Sequence, residues 1–437
     1  MRRKAYGAVR VNDVDVAKVV RGRDDLAVTV GIDVGKFQLF AVCRWADGRF
    51  ERPWRANNPV EIMELVALLQ RLGANRKLIV AMESSGTYGD ALRQALQDAA
   101  IEVHRVSTKA SHDYAEVFDG VPSQHDGKDA AVVAELAALG KSAPWPYRPT
   151  EVWEQELAYW VEWMVGHRQV LNLWQGRLEG LLGRHWPEAT RVLKLSSVTL
   201  LRVLAQYGSP QALAADPDAA AQLARWGGRF LDPGKIKRLL ADARTSLGVR
   251  PGEWETRRLQ DFAQQALQAR AQAARGQRCL RVVARGHPVL EAQGKVVGVP
   301  TACVLWVSTG DPRKYYAAAA YRKAIGLNLV ERSSGEYQGL LHISKRGSAR
   351  SRQWLYFAVL RLVQKAGVRS WYEAKKARDP DAAKSVLVAV MRKLTLALYH
   401  VAVHNQEFDP RRLFARIITH TKTAPAFSLA KEVNVEA

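Results

Sequence analysis

Cysteine is scarce, with three residues in 437 (Cys43, Cys279 and Cys303). They lie far apart, odd in number and flanked by apolar residues. That excludes a disulfide framework and a cysteine zinc site, and points to buried thiols of a reducing cytoplasm. No apolar run approaches the ~18 residues of a spanning helix. The opening MRRKAYGAVR lacks the apolar centre of a signal peptide. Acidic residues are also too few: 43 Asp+Glu face 65 Lys+Arg, a net charge of +22. The partner implied is a polyanion, because each neutralised phosphate releases counterions. Nucleic acid, and not a membrane, is the expected one.

What is present is ordinary globular composition, 48% hydrophobic and 25% charged, in a chain long enough for two or three cores. Residues 1–26 mix charges with little periodicity and are expected to form a mobile or loosely docked basic arm. Val28–Lys36, VTVGIDVGK, alternates apolar residues and ends a strand on Asp33. QLFAVCRW then turns at Ala46-Asp47-Gly48 into a third strand near Phe50–Trp54, an antiparallel meander. Val60–Leu72 carries a helical stripe. KLIVAM is a buried parallel strand delivering Glu83 at its end. After SSGTYG come a helix from Gly89 to Ala99, a short strand Val103–Val106 and a helix from Asp126 to Leu139.

Meander, helix, strand, helix, strand, helix is the order of a ribonuclease-H-like domain, expected here over residues 27–142. In that layout the ends of the first and fourth strands are neighbours, so Asp33 and Glu83 converge. Asp126 and Asp129, three apart, share one face of the last helix. Four hard oxygen donors of this kind suit Mg²⁺ or Mn²⁺, which stabilise attacking and leaving oxygens at a phosphodiester. Each acid has a plainer reading. Asp33 could be a turn residue, and Asp126-x-x-Asp129 could be a capping box. GIDVGK also opens the phosphate-binding strand of actin-like and sugar-kinase ATPases. That reading needs a second aspartate-glycine strand and a glycine-rich adenosine site, and neither is evident downstream.

Residues 143–290 read as a helical arm entered through the proline-rich APWPYRP. Trp153, Leu157, Trp160, Met164, His167, Leu171, Trp174, Leu178 and Leu181 follow heptad spacing, the pattern of a coiled coil. The partner helix expected is Trp254–Leu280 of the same chain or of a second one. Residues 291–437 form a third, mostly helical module. Its Val297–Ala302 resembles a helix–hairpin–helix turn that offers backbone N–H groups to phosphate. A Ser333-Ser334-Gly335 turn follows, then the basic cluster Lys345, Arg346, Arg350 and Arg352. From Lys345 onward 18 Lys/Arg meet 7 Asp/Glu, a phosphate-handling surface. Spacing alone leaves Ser334 a turn residue, since nothing local supplies a base.

GIDVGK, ME-SSGTYG and QHDGKDA, taken with GVPTA, Ala324-Ile325-Gly326-Leu327, SSGEYQG, HISKRG and the arginine-rich helix, resemble the DEDD-type insertion-sequence transposases. This is the IS-one-ten family, relatives of the pilin-gene DNA invertases. The chain departs from the family pattern at Pro300, Leu329 and Ser351-Arg352. The resemblance implies a RuvC-like metal domain in which Asp33, Glu83, Asp126 and Asp129 bind Mg²⁺ or Mn²⁺. It also implies a carboxy-terminal domain whose nucleophilic serine corresponds to Ser334, with Ser333 beside it as the alternative. Further implications are donor and target double-stranded DNA as partners, a structured noncoding guide RNA, and a homo-oligomer, dimer or tetramer, sharing sites between protomers. The setting implied is the bacterial cytoplasm at the nucleoid. A RuvC-like structure-selective nuclease without serine chemistry, and a non-enzymatic nucleic-acid-binding descendant, are the competing readings.

Overall fold

The computed structural model describes residues 7–23, 27–83, 86–120, 125–147, 150–331, 341–377 and 383–411. Two compact units divide the chain, residues 1–149 and 150–437.

The first unit is a seven-stranded sheet. In chain order it comprises β1 (Val9–Arg10), α1 (Val16–Val20), β2 (Val28–Val34), β3 (Gln38–Trp45), β4 (Trp54–Asn57), α2 (Ile62–Gly73) and β5 (Leu78–Glu83). There follow α3 (Asp90–Asp98), β6 (Glu102–Val106), α4 (Thr108–Asp119), α5 (Asp126–Ala138) and β7 (Ser142–Pro144). The strand order is β1-β4-β3-β2-β5-β6-β7. β2, β3 and β4 form the antiparallel meander, while β5 runs parallel to β2 and β6 parallel to β5.

Alternation sorts the sheet into two faces. Val28, Val30 and Ile32 pack with Leu39, Trp45, Leu65, Leu69 and Leu92 in one core, beneath α2 and α3. Ala81, Val106, Val132 and Val133 form another with α5. Gly31 and Asp33, of opposite parity to Ile32, face α5. Glu83 has the parity of Ala81 and shares that side.

The fit of α5 onto β2 depends on one missing atom. A Cβ on Gly31 would lie 2.2 Å from the Ala130 carbonyl oxygen and 2.3 Å from the Ala134 nitrogen, so only glycine admits the helix backbone this close. Arg44 clasps Glu135 through two nitrogens, tying the same helix to β3.

Several edges differ from expectation. Residues 9–20 are docked: Val9 and Arg10 pair in parallel with Trp54 and Arg55, and Val11 is buried. Glu61 accepts from Arg10 and Asn12 at 3.4 and 3.5 Å. The third strand starts at Trp54, and Phe50 makes only an isolated bridge to Arg44. Part of the expected linker is a strand, since Ala143 and Pro144 pair with Arg105 and His104. Trp145 lies under Arg93 at 4.0 Å. α4 had no clear sequence signal, for its apolar residues are few and Val117 points outward.

The second unit is built on α6 (Val152–His185), which leads through α7 (Ala189–Val192), α8 (Val198–Tyr207), α9 (Pro210–Ala215), α10 (Ala219–Gly227) and α11 (Pro233–Arg244) to α12 (Glu253–Val283). α6 and α12 lie antiparallel within one chain. Glu255 near the start of α12 meets Arg184 and His185 at the end of α6, and a Cβ on Gly276 would stand 3.0 Å from the Met164 Cβ. Ala263, Ala266, Ala269 and Ala273 are buried along α12, a small-residue seam that lets the helices close. Of the expected heptad positions Leu157, Met164 and Leu178 are fully buried; Val161, Val165 and Leu182 join them, whereas the tryptophans are only partly covered.

The unit continues with α13 (Pro288–Val297), α14 (Val299–Thr309), α15 (Ala318–Ile325), β8 (Leu329–Val330), β9 (His342–Ile343), α16 (Ala349–Leu362), α17 (Ala366–Ala377) and α18 (Ala383–His404). α13 and α14 are joined by Gly298 alone, at φ +88°. Leu157, Val161 and Met164 enter the same core as Leu305, Tyr321, Leu355 and Leu394. α18 corrects the sequence analysis: it is long and apolar enough to cross a membrane, with hydropathy 1.7. Half of that stretch is buried inside the unit, and the Leu398 carbonyl accepts from Gln293 at 3.2 Å. It is a core helix.

Gly31→Ala is expected to destabilise the protein by on the order of 3 kcal/mol, because helix backbone cannot yield to a methyl. Denaturant unfolding measures this; a loss under about 0.5 kcal/mol, the scatter of neutral surface changes, would disprove the close approach.

Candidate functional site

The strand register lines up two of the expected acids. Ile32 pairs with Met82 across β2 and β5, so Asp33 and Glu83 are the next residues at the same sheet end, on the same face. α5 brings the other two. Its contact with Gly31 lies at Ala130 and Ala134, and Asp126 is one turn before Ala130, towards Asp33. Asp126 and Asp129 stand in the first turn of α5, but neither caps it. His125 is the N-cap, its Nδ1 accepting from the Lys128 N–H at 3.2 Å. The capping-box alternative is thereby excluded, and both carboxylates are spared for other work.

Electrostatics couples the four. Burial first, then the charges of Asp129, Asp126 and Glu83, push the Asp33 carboxyl up from 3.8 to about 7. Burial also raises Glu83, opposed by a hydrogen bond from Ser111 and reinforced by Asp129. Asp129 is raised by burial and by Asp126, and drawn down by His125 and Lys128. Lys128 is buried and its Nζ donates to Asp119 at 2.6 Å. The acids are coupled without being gathered: among the described residues no three His, Cys, Asp or Glu side chains are close enough to hold one ion. Four oxygen-only donors at one sheet end fit a hard divalent cation and not a soft one.

Sequence reasoning did not find Ser111 or the Lys128–Asp119 pair. Ser111 carries no motif and lies on α4, the helix that was missed. Lys128 sits inside QHDGKDA yet reads as an ordinary surface lysine.

In the second unit, residues 332–340, which include Ser333 and Ser334, lie outside the described residues. Their flanks are described. Leu329 and Val330 pair antiparallel with Ile343 and His342. AIGL and HISKRG clasp each other: the backbone N–H groups of Lys345 and Ser348 donate to the Gly326 and Ala324 carbonyls at 3.1 and 3.0 Å. Arg352 donates to the Ile325 and Gly347 carbonyls at 2.9 and 3.0 Å. Gly326, at φ +79°, leaves no room for a Cβ beside Arg352. Of the four basic residues, Arg352 is thus internal, Arg350 is paired with Glu162 of α6, and Lys345 and Arg346 are exposed.

Comparison with known families matches these two regions. Residues 30–163 match a family model described as a transposase. Residues 292–374 match the model described as transposase of the IS116/IS110/IS902 family. Both ends of the chain are therefore similar to transposase domains, the second to those of the IS116/IS110/IS902 family. A relative described as an uncharacterized 43.6 kDa protein of the insertion element IS110, from Streptomyces coelicolor, is 24% identical over 393 residues. The alignment covers 85% of this chain and 93% of the relative. The first match contains Asp33, Glu83, Asp126 and Asp129; the second contains Ser334 and the basic cluster.

An Asp33 carboxyl raised to about 7 means the folded chain holds a proton that the unfolded chain releases. That contribution is present below pH ~4 and lost as pH rises through about 7. Asp33→Asn is accordingly expected to stabilise the metal-free protein at pH 8, by on the order of 2 kcal/mol after solvent screening. At pH 5 the gain should shrink. Thermal unfolding at both pH values measures it, and an equal effect at the two would contradict the assigned coupling.

Proposed function

We propose that the protein is a metal-dependent DNA transposase that cuts and rejoins donor and target double-stranded DNA. The observation that supports this most directly is Asp33, half-buried at the shared end of β2 and β5 and raised by burial and by the charges of three other carboxylates, within the region that matches a transposase model. Asp33, Glu83, Asp126 and Asp129 are the residues that hold Mg²⁺ or Mn²⁺. Such ions, when bound, stabilise the attacking and leaving oxygens of a phosphodiester.

Protein groups do the remaining work in this reading. The α5 N-terminus orients Asp126 and Asp129 over the strand ends, and Ser111 fixes Glu83 by its hydrogen bond. Ser334 is the nucleophile: its Oγ bonds to phosphorus as the P–O bond to one strand end breaks, and the hydroxyl proton passes to the released oxygen. Reversal with a different strand end rejoins DNA and frees the serine. Lys345 and Arg346 neutralise backbone phosphates. An element-encoded noncoding RNA pairs with donor and target, and the active form is a homo-oligomer acting on nucleoid DNA in the cytoplasm. These last features rest on the family resemblance.

Strand transfer on donor and target DNA, with guide RNA and Mg²⁺, tests the reading. Asp33→Asn and Ser334→Ala should each lower it by about two orders of magnitude or more, with DNA binding retained and activity abolished by a chelator. Undiminished transfer in either variant removes that residue's role. Cleavage that survives Ser334→Ala, with no covalent protein–DNA adduct in the parent protein, would establish the structure-selective nuclease instead.

A further inference from the structure

A cavity of about 510 Å³ opens between α6 and α16 in the second unit. Four-residue spacing puts its lining on one face of each helix: Arg168 and Asn172 on α6, Gln353, Phe357 and Arg361 on α16, with Trp354 beside them. None of these residues belongs to the carboxylate site, the serine segment or the exposed Lys345–Arg346 pair.

Three features make the cavity unusual for a packing defect. The first is charge of one sign. Arg168, Arg361 and Arg270 of α12 are close enough that, after desolvation, the other two hold Arg168 below its ordinary range. Among the described residues none of the three forms a salt bridge with a carboxylate; Arg361 donates to the Val297 carbonyl at 3.2 Å and Arg270 to the Ser196 carbonyl at 2.7 Å. The second is an aromatic surface: the Arg168 guanidinium lies over Trp354 at 5.1 Å, and the neighbouring Phe357 remains 45% exposed. The third is a set of three primary amides, Gln169, Asn172 and Gln353, each offering donors and acceptors. Clustered cations ask for an anion, an exposed ring asks for a flat apolar face, and amides read polar edges. A single nucleotide supplies all three.

We propose that this cavity receives one unpaired nucleotide of a nucleic-acid strand, its phosphate between Arg168 and Arg361 and its base against Phe357. The volume lies within the ~300–1,000 Å³ of small-molecule sites, larger than a free phosphate needs. A paired base within a duplex is stacked on both sides and cannot enter without being flipped out. Either an RNA or a DNA strand carries this chemistry. The proposal builds on the nucleic-acid reading above and needs neither the metal nor Ser334.

The test is fluorescence anisotropy with the full-length protein in EDTA, using labelled 12-residue single-stranded RNA, single-stranded DNA and duplex DNA. R168Q/F357L should weaken single-strand binding about tenfold, the scale of one lost stack and one lost phosphate contact. F357W alone should keep it, and duplex affinity should change less than about twofold. A loss confined to RNA assigns the pocket to an RNA strand; an equal loss with DNA assigns it to either. Single-strand affinity unchanged in R168Q/F357L, or falling in step with duplex affinity, overturns the pocket while leaving the transposase reading intact. Competition by polyglutamate as effective as that by single strand also overturns it, since the cavity would then read charge alone. Absence of any nucleic-acid binding by the parent protein sinks both.

Discussion

The first unit depends on the approach of α5 to Gly31. Side chains ordinarily hold the backbone of a helix away from that of the sheet beneath it. Here a glycine on β2 lets helix backbone, at Ala130 and Ala134, press onto strand backbone. The consequence is positional. With the helix held there and tied by Arg44 and Glu135, its first turn stands over the carboxyl end of β2. Asp126 and Asp129 can then meet Asp33 and Glu83, which the parallel register of β2 and β5 has already aligned. Hydrophobic burial elsewhere supplies the stability; this contact supplies the geometry.

That geometry opposes stability locally. Burying an acid among three others costs free energy, seen in the rise of Asp33 to about 7. The surroundings offset part of it. The α5 N-terminus carries a positive partial charge, His125 caps it, and Lys128 and His125 pull Asp129 downward. Lys128 is itself paired with Asp119, which fixes in place the charge that acts on Asp129. A site arranged for packing alone would place a single acid here, or none.

Much of this unit was legible because period-two alternation and chain order are local signals. VTVGIDV and QLFAVCRW are strands at the expected residues, and QHDGKDA opens a helix at Asp126. All four acids could be named from the ends of elements. What failed to show were features fixed by partners distant in sequence. β1 is a strand because Trp54 and Arg55 lie beside it, and β7 because β6 does; neither has a pattern of its own. α4 lacks a clear apolar stripe, and with it Ser111 was invisible. α18 shows the reverse error: no apolar run was recognised there, yet its composition would suit a membrane, and only the surrounding helices reveal it as core. The heptad seam of α6 identified the correct partner helix but not the residues that bury best, because α12 presents alanines and Gly276 and the contact line shifts towards Val161 and Leu182.

Net charge is the clearest case of a number that composition gives and the fold must interpret. A charge of +22 favours a polyanionic partner, and the carboxy-terminal fifth holds half of the excess. Yet Arg352 is spent on the Ile325 and Gly347 carbonyls, Arg350 on Glu162, and Arg392 on the Leu327 carbonyl. Arg352 joins the AIGL and HISKRG segments, Arg392 ties AIGL to α18 and Arg350 ties α16 to α6, so none can face phosphate without releasing what it holds. Cations without a carboxylate partner among the described residues include Lys345 and Arg346 at the surface and the Arg168, Arg361 and Arg270 cluster at the α6–α16 cavity, where Arg361 and Arg270 also donate to the Val297 and Ser196 carbonyls. Self-repulsion within that cluster is a standing cost that an anion would remove. The place of that cluster is set by helix packing, not by the density of basic residues along the sequence.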